Sequence, residues 1–265
     1  DEYLIVWNDC RNDPDASDGG DEDVYRCVYG SRDYSDVYAR RLRGDGTPLG
    51  EEIVIAAGRL GQQLPHVAYN PASGRYFVVW QQHAQDFIAL YPPYGETGFR
   101  EYGYDAYGRL LSSAGEFVGE PMLLSDKFAL PEDNQWDPIL AANTSDGSFI
   151  AGWHDGRART LYPTLYSPDE NDRTTFKDIY AQVVNADGTL RGADAPLTLD
   201  PDNLDFEITG NAKRIQQYVS IAYNPPGEGP GKDRYFAVWE DDRAGAVLGR
   251  SEEHTSELQS RFCIA

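Results

Sequence analysis

The sequence predicts an all-β chain built from repeated four-stranded antiparallel units, and three observations carry that prediction. One short apolar phrase recurs as YLIVW, RYFVVW, SFIAGW and RYFAVW, ending at Trp7, Trp80, Trp153 and Trp239. Three of the four continue as W-x-D-x-R, through Asp9/Arg11, Asp155/Arg157 and Asp241/Arg243. A long variable insertion then leads to a second shared run, Asp36-Val37-Tyr38, Asp105-Ala106-Tyr107 or Asp178-Ile179-Tyr180, followed at fixed distances by the glycine pairs Gly46/Gly50, Gly115/Gly119 and Gly188/Gly192. Such self-similarity means one supersecondary unit used several times, and it outranks any local motif.

Within a repeat the elements follow in order. In the second one, strand a is expected at 66–69, strand b at 76–80, strand c at 104–111 and strand d at 117–124. Asn70-Pro71-Ala72-Ser73-Gly74 turns a into b, and Ser113-Ala114-Gly115 turns c into d with the glycine that tight turns need. Strand b is apolar on both parities, with Tyr76, Val78 and Trp80 on one face and Phe77 and Val79 on the other, so it must be covered on both sides. A two-sheet sandwich covers only one face, whereas a β-propeller blade lies between two neighbours. The expected architecture is therefore a partial β-propeller of four-stranded antiparallel blades. The long b–c insertions, 8–35, 81–104 and 154–177, should share one face, opposite the short turns.

Asn70-Pro71-Ala72-Ser73-Gly74, Trp239-x-Asp241-x-Arg243 and Asp178-Ile179-Tyr180 with the Asp187-Gly188 turn resemble the blades of TolB-type β-propellers. They are closer still to blades of large secreted or surface-anchored bacterial repeat proteins. The resemblance spans residues 3–243 and implies blade architecture while saying almost nothing of function, since propellers serve as enzymes, adhesins and docking platforms alike. The second repeat departs from it, with Gln82 and Ala84 where Asp and Arg stand elsewhere.

The chain opens inside a strand b and its last recognisable blade stops after strand b. The expectation is thirteen strands, an incomplete propeller over 1–249, truncated at both ends. Residues 250–260, Arg-Ser-Glu-Glu-His-Thr-Ser-Glu-Leu-Gln-Ser, share nothing with the repeats and match the in-frame translation of a common sequencing adapter. The segment 250–265 is accordingly read as a non-native artefact tail, the mark of a metagenomic or draft assembly.

Formal net charge is −21, from 44 acidic against 23 basic residues, which argues against nucleic acid and anionic membrane surfaces as partners. No apolar run approaches the length of a membrane span. With Cys263 in the tail, Cys10 and Cys27 remain as a pair flanking the first insertion, either a disulfide or two free thiols. A disulfide would imply an oxidising compartment, extracellular, cell-surface or periplasmic.

Candidate sites are weighed against structural roles. Because the W-x-D-x-R carboxylates recur, they read as ion pairs or turn caps beside Asp36 and Asp178, with Arg157 and Arg243 as partners, and the four tryptophans as repeat markers. Asp13, Asp15, Asp18 and Asp21 in the first insertion could wrap a Ca²⁺ ion or form a solvated acidic loop, and the EF-hand register is missed. Tyr91, Tyr94, Tyr162 and Tyr166 in the other insertions are suited to stacking on sugars or packing on peptides, or to folding back as small loop cores. No HExxH, GxSxG or Cys-rich metal spacing occurs. His154, beside Asp155, falls where Asn8 and Glu240 stand in sister blades and reads as a variable loop position. The first reading is a binding or adhesion module without catalysis or cofactor, contacting glycan or protein through its b–c loops. The rival is a polysaccharide hydrolase or lyase using unrepeated carboxylates at the mouth of the central channel, with Asp86, Glu96, Glu101, Asp169, Glu170 and Asp172 as candidates.

Overall fold

A computed structural model describes residues 2–12, 35–58, 61–83, 104–125, 135–156, 178–197, 216–227 and 233–241. Every regular element among them is a strand, and there are thirteen: β1 (Glu2–Asp9), β2 (Asp36–Arg43), β3 (Pro48–Ala56), β4 (Gln62–Asn70), β5 (Arg75–His83), β6 (Tyr104–Ser112), β7 (Phe117–Leu123), β8 (Gln135–Ala142), β9 (Phe149–Asp155), β10 (Asp178–Val184), β11 (Leu190–Pro196), β12 (Gln216–Asn224) and β13 (Arg234–Asp241). They form four antiparallel sheets in the orders β1-β2-β3, β4-β5-β6-β7, β8-β9-β10-β11 and β12-β13. The two complete sheets share one meander. The tryptophans take equivalent places, each opposite the tyrosine of strand c: Trp7 against Tyr38, Trp80 against Tyr107 and Trp153 against Tyr180.

The two-faced apolar pattern of strand b is resolved by packing sheet on sheet. Tyr76, Val78 and Trp80 join Leu4, Val37 and Ile55 of the first blade in one core. Phe77 and Val79 of the same strand join Phe149, Ala151 and Trp153 of the third blade in another. A third core repeats the arrangement, with Ile150 and Ile179 against Tyr235, Ala237 and Trp239. Trp80 and Trp153 are 1% and 0% exposed, so each ring contributes roughly 4–6 kcal/mol of apolar burial as an upper figure. Sheets stacked in chain order, each presenting its Trp face to the blade before it, make this a partial β-propeller of four-stranded blades.

The short turns bolt the blades together at one end. Asn70, fully buried, accepts from the Ala72 amide at 3.0 Å through its Oδ1 and donates through Nδ2 to the carbonyls of Asn143 and Ser148 in the next blade, at 2.9 and 2.8 Å. Asn-Pro-x-Ser-Gly is thus an inter-blade connector as well as a turn, closed by Gly74 at φ +64. In the c–d turns Asp45 and Asp187 each accept from a threonine two residues on, Thr47 or Thr189, through backbone amide and hydroxyl. At the other end β1, β5 and β9 hand over to their insertions, and β2, β6 and β10 return from them. The pairs Asp9/Asp36, His83/Tyr104 and Asp155/Asp178 close that end, so all three insertions attach to one face. The strands run further than the sequence indicates, taking in residues assigned above to the ends of the insertions.

Candidate functional site

The inner strands β4, β8 and β12 lie side by side along the blade stack, and each begins with the same irregularity. Their pairing with strand b slips between Gln63 and His66, between Trp136 and Ile139, and between Gln217 and Ser220. In each bulge a non-glycine residue sits at positive φ: Leu64 at +51, Asp137 at +48 and Tyr218 at +53. A left-handed backbone costs such a residue about 1–2 kcal/mol, so three equivalent cases imply a common support. Buried Gln62 and Gln135 precede two of the bulges.

For the Asp137 and Tyr218 bulges the support comes from the preceding blade. The Asp137 amide donates to Gln81 Oε1 at 3.1 Å, and the Tyr218 amide donates to His154 Nε2 at 2.5 Å. Gln81 and His154 are the middle residues of their W-x-D/Q phrases, 3% and 1% exposed. His154 is therefore the penultimate residue of β9 and a buried inter-blade latch, which corrects its reading as a variable loop position. The alternation of strand b turns it away from Trp153 and toward the next blade.

Around this latch the unrepeated polar residues gather. Accepting at Nε2 leaves the imidazole proton on Nδ1, which lies 3.7 Å from Asp137 Oδ2. The Asp137 side chain is 40% exposed, so it is at once open to solvent and backed by a buried imidazole. His66 of the second blade feels the same carboxylate: packing around its ring pushes its pKa below the ordinary 6.5, and Asp137 pulls the other way, although the side chain as a whole is exposed. Tyr218, 65% exposed, stands edge-on to His154 with ring centroids 5.8 Å apart. A carboxylate, an exposed phenol and an exposed imidazole, drawn from three consecutive blades, thus meet on the insertion side of the inner strands. Sequence reasoning missed Asp137 because it looked for carboxylates in the insertions. The signal was there in the flanks, Gln135-Trp136-Asp137-Pro138 beside Gln62-Gln63-Leu64-Pro65.

The repeated W-x-D carboxylates have structural occupations. Asp155 Oδ2 accepts from the Trp153 indole at 2.9 Å, and Gln82 Oε1 from the Trp80 indole at 3.3 Å, so Gln82 fills the place of Asp without its charge. Asp9 is held by the Arg11 guanidinium, which keeps its pKa below the ordinary value, and Arg11 also lies 4.4 Å over the Tyr38 ring. Asp36 accepts from Asn12 Nδ2 at 2.8 Å and from the Gly58 amide at 3.0 Å. Cys10 is disulfide-bonded. Cys27, Asp13, Asp15, Asp18, Asp21, Tyr91, Tyr94, Tyr162, Tyr166, Arg157 and Arg243 lie outside the described residues, as do the six insertion carboxylates and 250–265. Among the described residues no group of three or more His, Cys, Asp and Glu is placed to hold a metal ion, and no helix is long and apolar enough to cross a membrane.

No protein-family model and no curated protein matches this sequence. Solved structures with a similar chain path include an N-acetylgalactosamine deacetylase from F. plautii in complex with blood group B trisaccharide, at 11% identity and TM-score 0.45, over 90% of this chain and 59% of that one. Another is the exo-β-1,3-galactanase 1,3Gal43A from Clostridium thermocellum, at 11% identity and TM-score 0.38, over 86% and 42%. The parainfluenza virus 5 hemagglutinin-neuraminidase ectodomain follows at 9% identity and TM-score 0.39, over 79% and 44%. The chain thus spans about half the length of these structures, and likenesses so distant leave the chemistry to this chain's own residues.

Proposed function

We propose that this chain carries part of the catalytic face of a propeller-type glycan hydrolase, with Asp137 as one reacting carboxylate. The observation that supports this is the singularity of Asp137. Its backbone repeats in three blades, its side chain does not, and it alone of the three bulge residues brings a carboxylate to the innermost strands. Repetition keeps a fold, whereas an active site is built once. Glycoside cleavage uses two carboxyl groups, about 5–5.5 Å apart for retention or about 6.5–9.5 Å for inversion. Asp137 would supply the base or nucleophile. Its partner acid would come from an insertion on the same face, from among Asp86, Glu96, Glu101, Asp169, Glu170 and Asp172. Tyr218 offers an aromatic surface for the apolar side of a sugar ring. The neutral His154 orients the carboxylate from behind. The Cys10 disulfide supports an extracellular, cell-surface or periplasmic location.

The binding-module reading draws on the same exposed Tyr218, and one experiment separates the two. The full chain and its Asp137→Asn variant are assayed for reducing-sugar release on a panel of plant, microbial and host glycans, with binding to the same glycans measured in parallel. Hydrolysis lost by about 100-fold or more in the variant, with binding kept, is the expected result. Capture without turnover by the wild type would establish the adhesion module instead, and undiminished turnover in Asp137→Asn would remove Asp137 from the chemistry.

A further inference from the structure

Asp137 sits on a strained stretch of β8 between two runs of regular pairing. The β8–β9 ladder joins Trp136 to His154 and resumes with Ile139 opposite Gly152, so Asp137 and Pro138 fall in the slip between them. Pro138 has no N–H to give a ladder, and its ring crowds the preceding residue toward extended backbone. Asp137 nevertheless stands at φ +48. Released from that conformation, it would relax to negative φ and carry its carboxylate elsewhere.

Its hold comes from β5. Gln81 follows Phe77 and Val79 on the face of that strand turned to the third blade, and it is 3% exposed. A backbone N–H can only donate, so Gln81 presents Oε1 to the Asp137 amide, at 3.1 Å. Its Nε2 donates to Gln63 Oε1 at 3.4 Å, an oxygen that also accepts from the Tyr104 hydroxyl at 3.5 Å. Tyr104 is buried, and with its partner His83 it closes the base of the second insertion, the one that carries Asp86, Glu96 and Glu101. Gln81, Gln63 and Tyr104 thus run from the Asp137 bulge to the root of that insertion. Buried as it is, Gln81 acts only through the residue it holds.

We propose that Gln81 is a positioning residue of the site. Through Oε1 it keeps the strained Asp137 backbone in its working conformation, and through Gln63 and Tyr104 it keeps that backbone in register with the second insertion. The inference rests on the hydrolase reading above. The sister joint supplies a control for it, because His154 accepts from the Tyr218 amide in the same way, so an imidazole fits the latch.

The test compares the wild-type full chain with Gln81→Met, Gln81→His and Asp137→Asn on the glycan that the wild type hydrolyses. Gln81→Met keeps the length of the side chain and removes the acceptor; kcat should fall about 10–100-fold while KM moves less than about threefold. Gln81→His should recover activity to within about threefold of wild type at pH 8 and lose it as pH falls through about 6.5, where the ring gains a second N–H and can no longer accept. Of the titratable groups around the latch, the Asp137 carboxylate favours that protonation and the Tyr104 phenol stays neutral across the range. Should Gln81→Met fail to fold by circular dichroism, the pH profile of Gln81→His decides. Wild-type kcat in Gln81→Met, or a Gln81→His profile that superimposes on that of the wild type, would overturn the positioning role while an inactive Asp137→Asn leaves the hydrolase reading standing. Turnover kept in Asp137→Asn, or absent from the wild type on every glycan, would overturn that reading and this inference with it.

Discussion

Replacing Asn70 tests whether the Asn-Pro-x-Ser-Gly motif is only a turn or also a joint between blades. The side chain is fully buried and makes three hydrogen bonds, one to its own turn at Ala72 and two to Asn143 and Ser148 of the next blade. Asn70→Ala removes all three. Neither carbonyl is orphaned, because Asn143 O still accepts from the Gly147 amide at 3.0 Å and Ser148 O from the Asn143 amide at 2.8 Å. The cost is then the net worth of the bonds, near 1 kcal/mol each, or about 3 kcal/mol in total. Asn70→Asp is the sharper perturbation, since it keeps the turn acceptor and the shape but sets a carboxylate oxygen against two carbonyl oxygens. Leaving a buried charge facing like partial charge should cost about 3–5 kcal/mol at neutral pH. Protonation would restore a donor, so the folded state raises the pKa of the new carboxyl and the penalty relative to wild type should shrink as pH falls. Urea unfolding followed by tryptophan fluorescence measures both variants against the wild type. A loss below about 1 kcal/mol in either variant, or an Asp penalty that grows on acidification, would refute the inter-blade reading.

Two further outcomes follow from the same geometry. His154→Gln should be tolerated within about 1 kcal/mol, because Gln81 performs the same latch one blade earlier, whereas His154→Leu leaves the Tyr218 amide without its acceptor and should cost about 1–3 kcal/mol by the same urea assay. Acid stability should depend on Asp9, Asp45 and Asp187, whose pKa values lie below the ordinary 3.8 through the Arg11 side chain, the Thr47 amide and the Thr189 hydroxyl respectively. A depressed carboxyl stabilises fully above its unfolded value and loses that contribution as pH falls through its folded one, so the loss belongs below pH 3.8; Arg11→Met should flatten the pH dependence of stability there, and an unchanged slope would show that the Asp9 pair contributes nothing.

The blade order was legible because each element leaves a local trace. Strand b is apolar on both parities, Asn70-Pro71 and Asp187-Gly188 mark the turns, and the Trp and Tyr phrases hold their register across β5–β6 and β9–β10. The strand a bulge was not legible, for a physical reason. What repeats there is a backbone conformation, carried by Leu64, Asp137 and Tyr218, three side chains with nothing in common. The support is likewise shared by task and not by type: Gln81 and His154 are different residues that both accept a bond from the next blade's bulged amide. A scan for identical residues reads both positions as variable, although their geometry is fixed.

That division explains how a singular site can arise within a repeat. The latch holds the backbone of the Asp137 and Tyr218 bulges from the preceding blade, so the residue at the bulge can differ between blades while its backbone is kept. Asp137 uses that latitude: its amide is secured by Gln81 of the second blade while its carboxylate lies near His154. His154 meanwhile secures Tyr218 of the fourth blade. One carboxylate is thereby tied to three consecutive blades, and its position depends on the packing between them more than on its own strand. A substitution that loosens the joint between the second and third blades should therefore disturb Asp137 even from the far end of the stack. Asn70, which closes that joint at the opposite face, couples to the site through the rigidity of the shared core and not through contact.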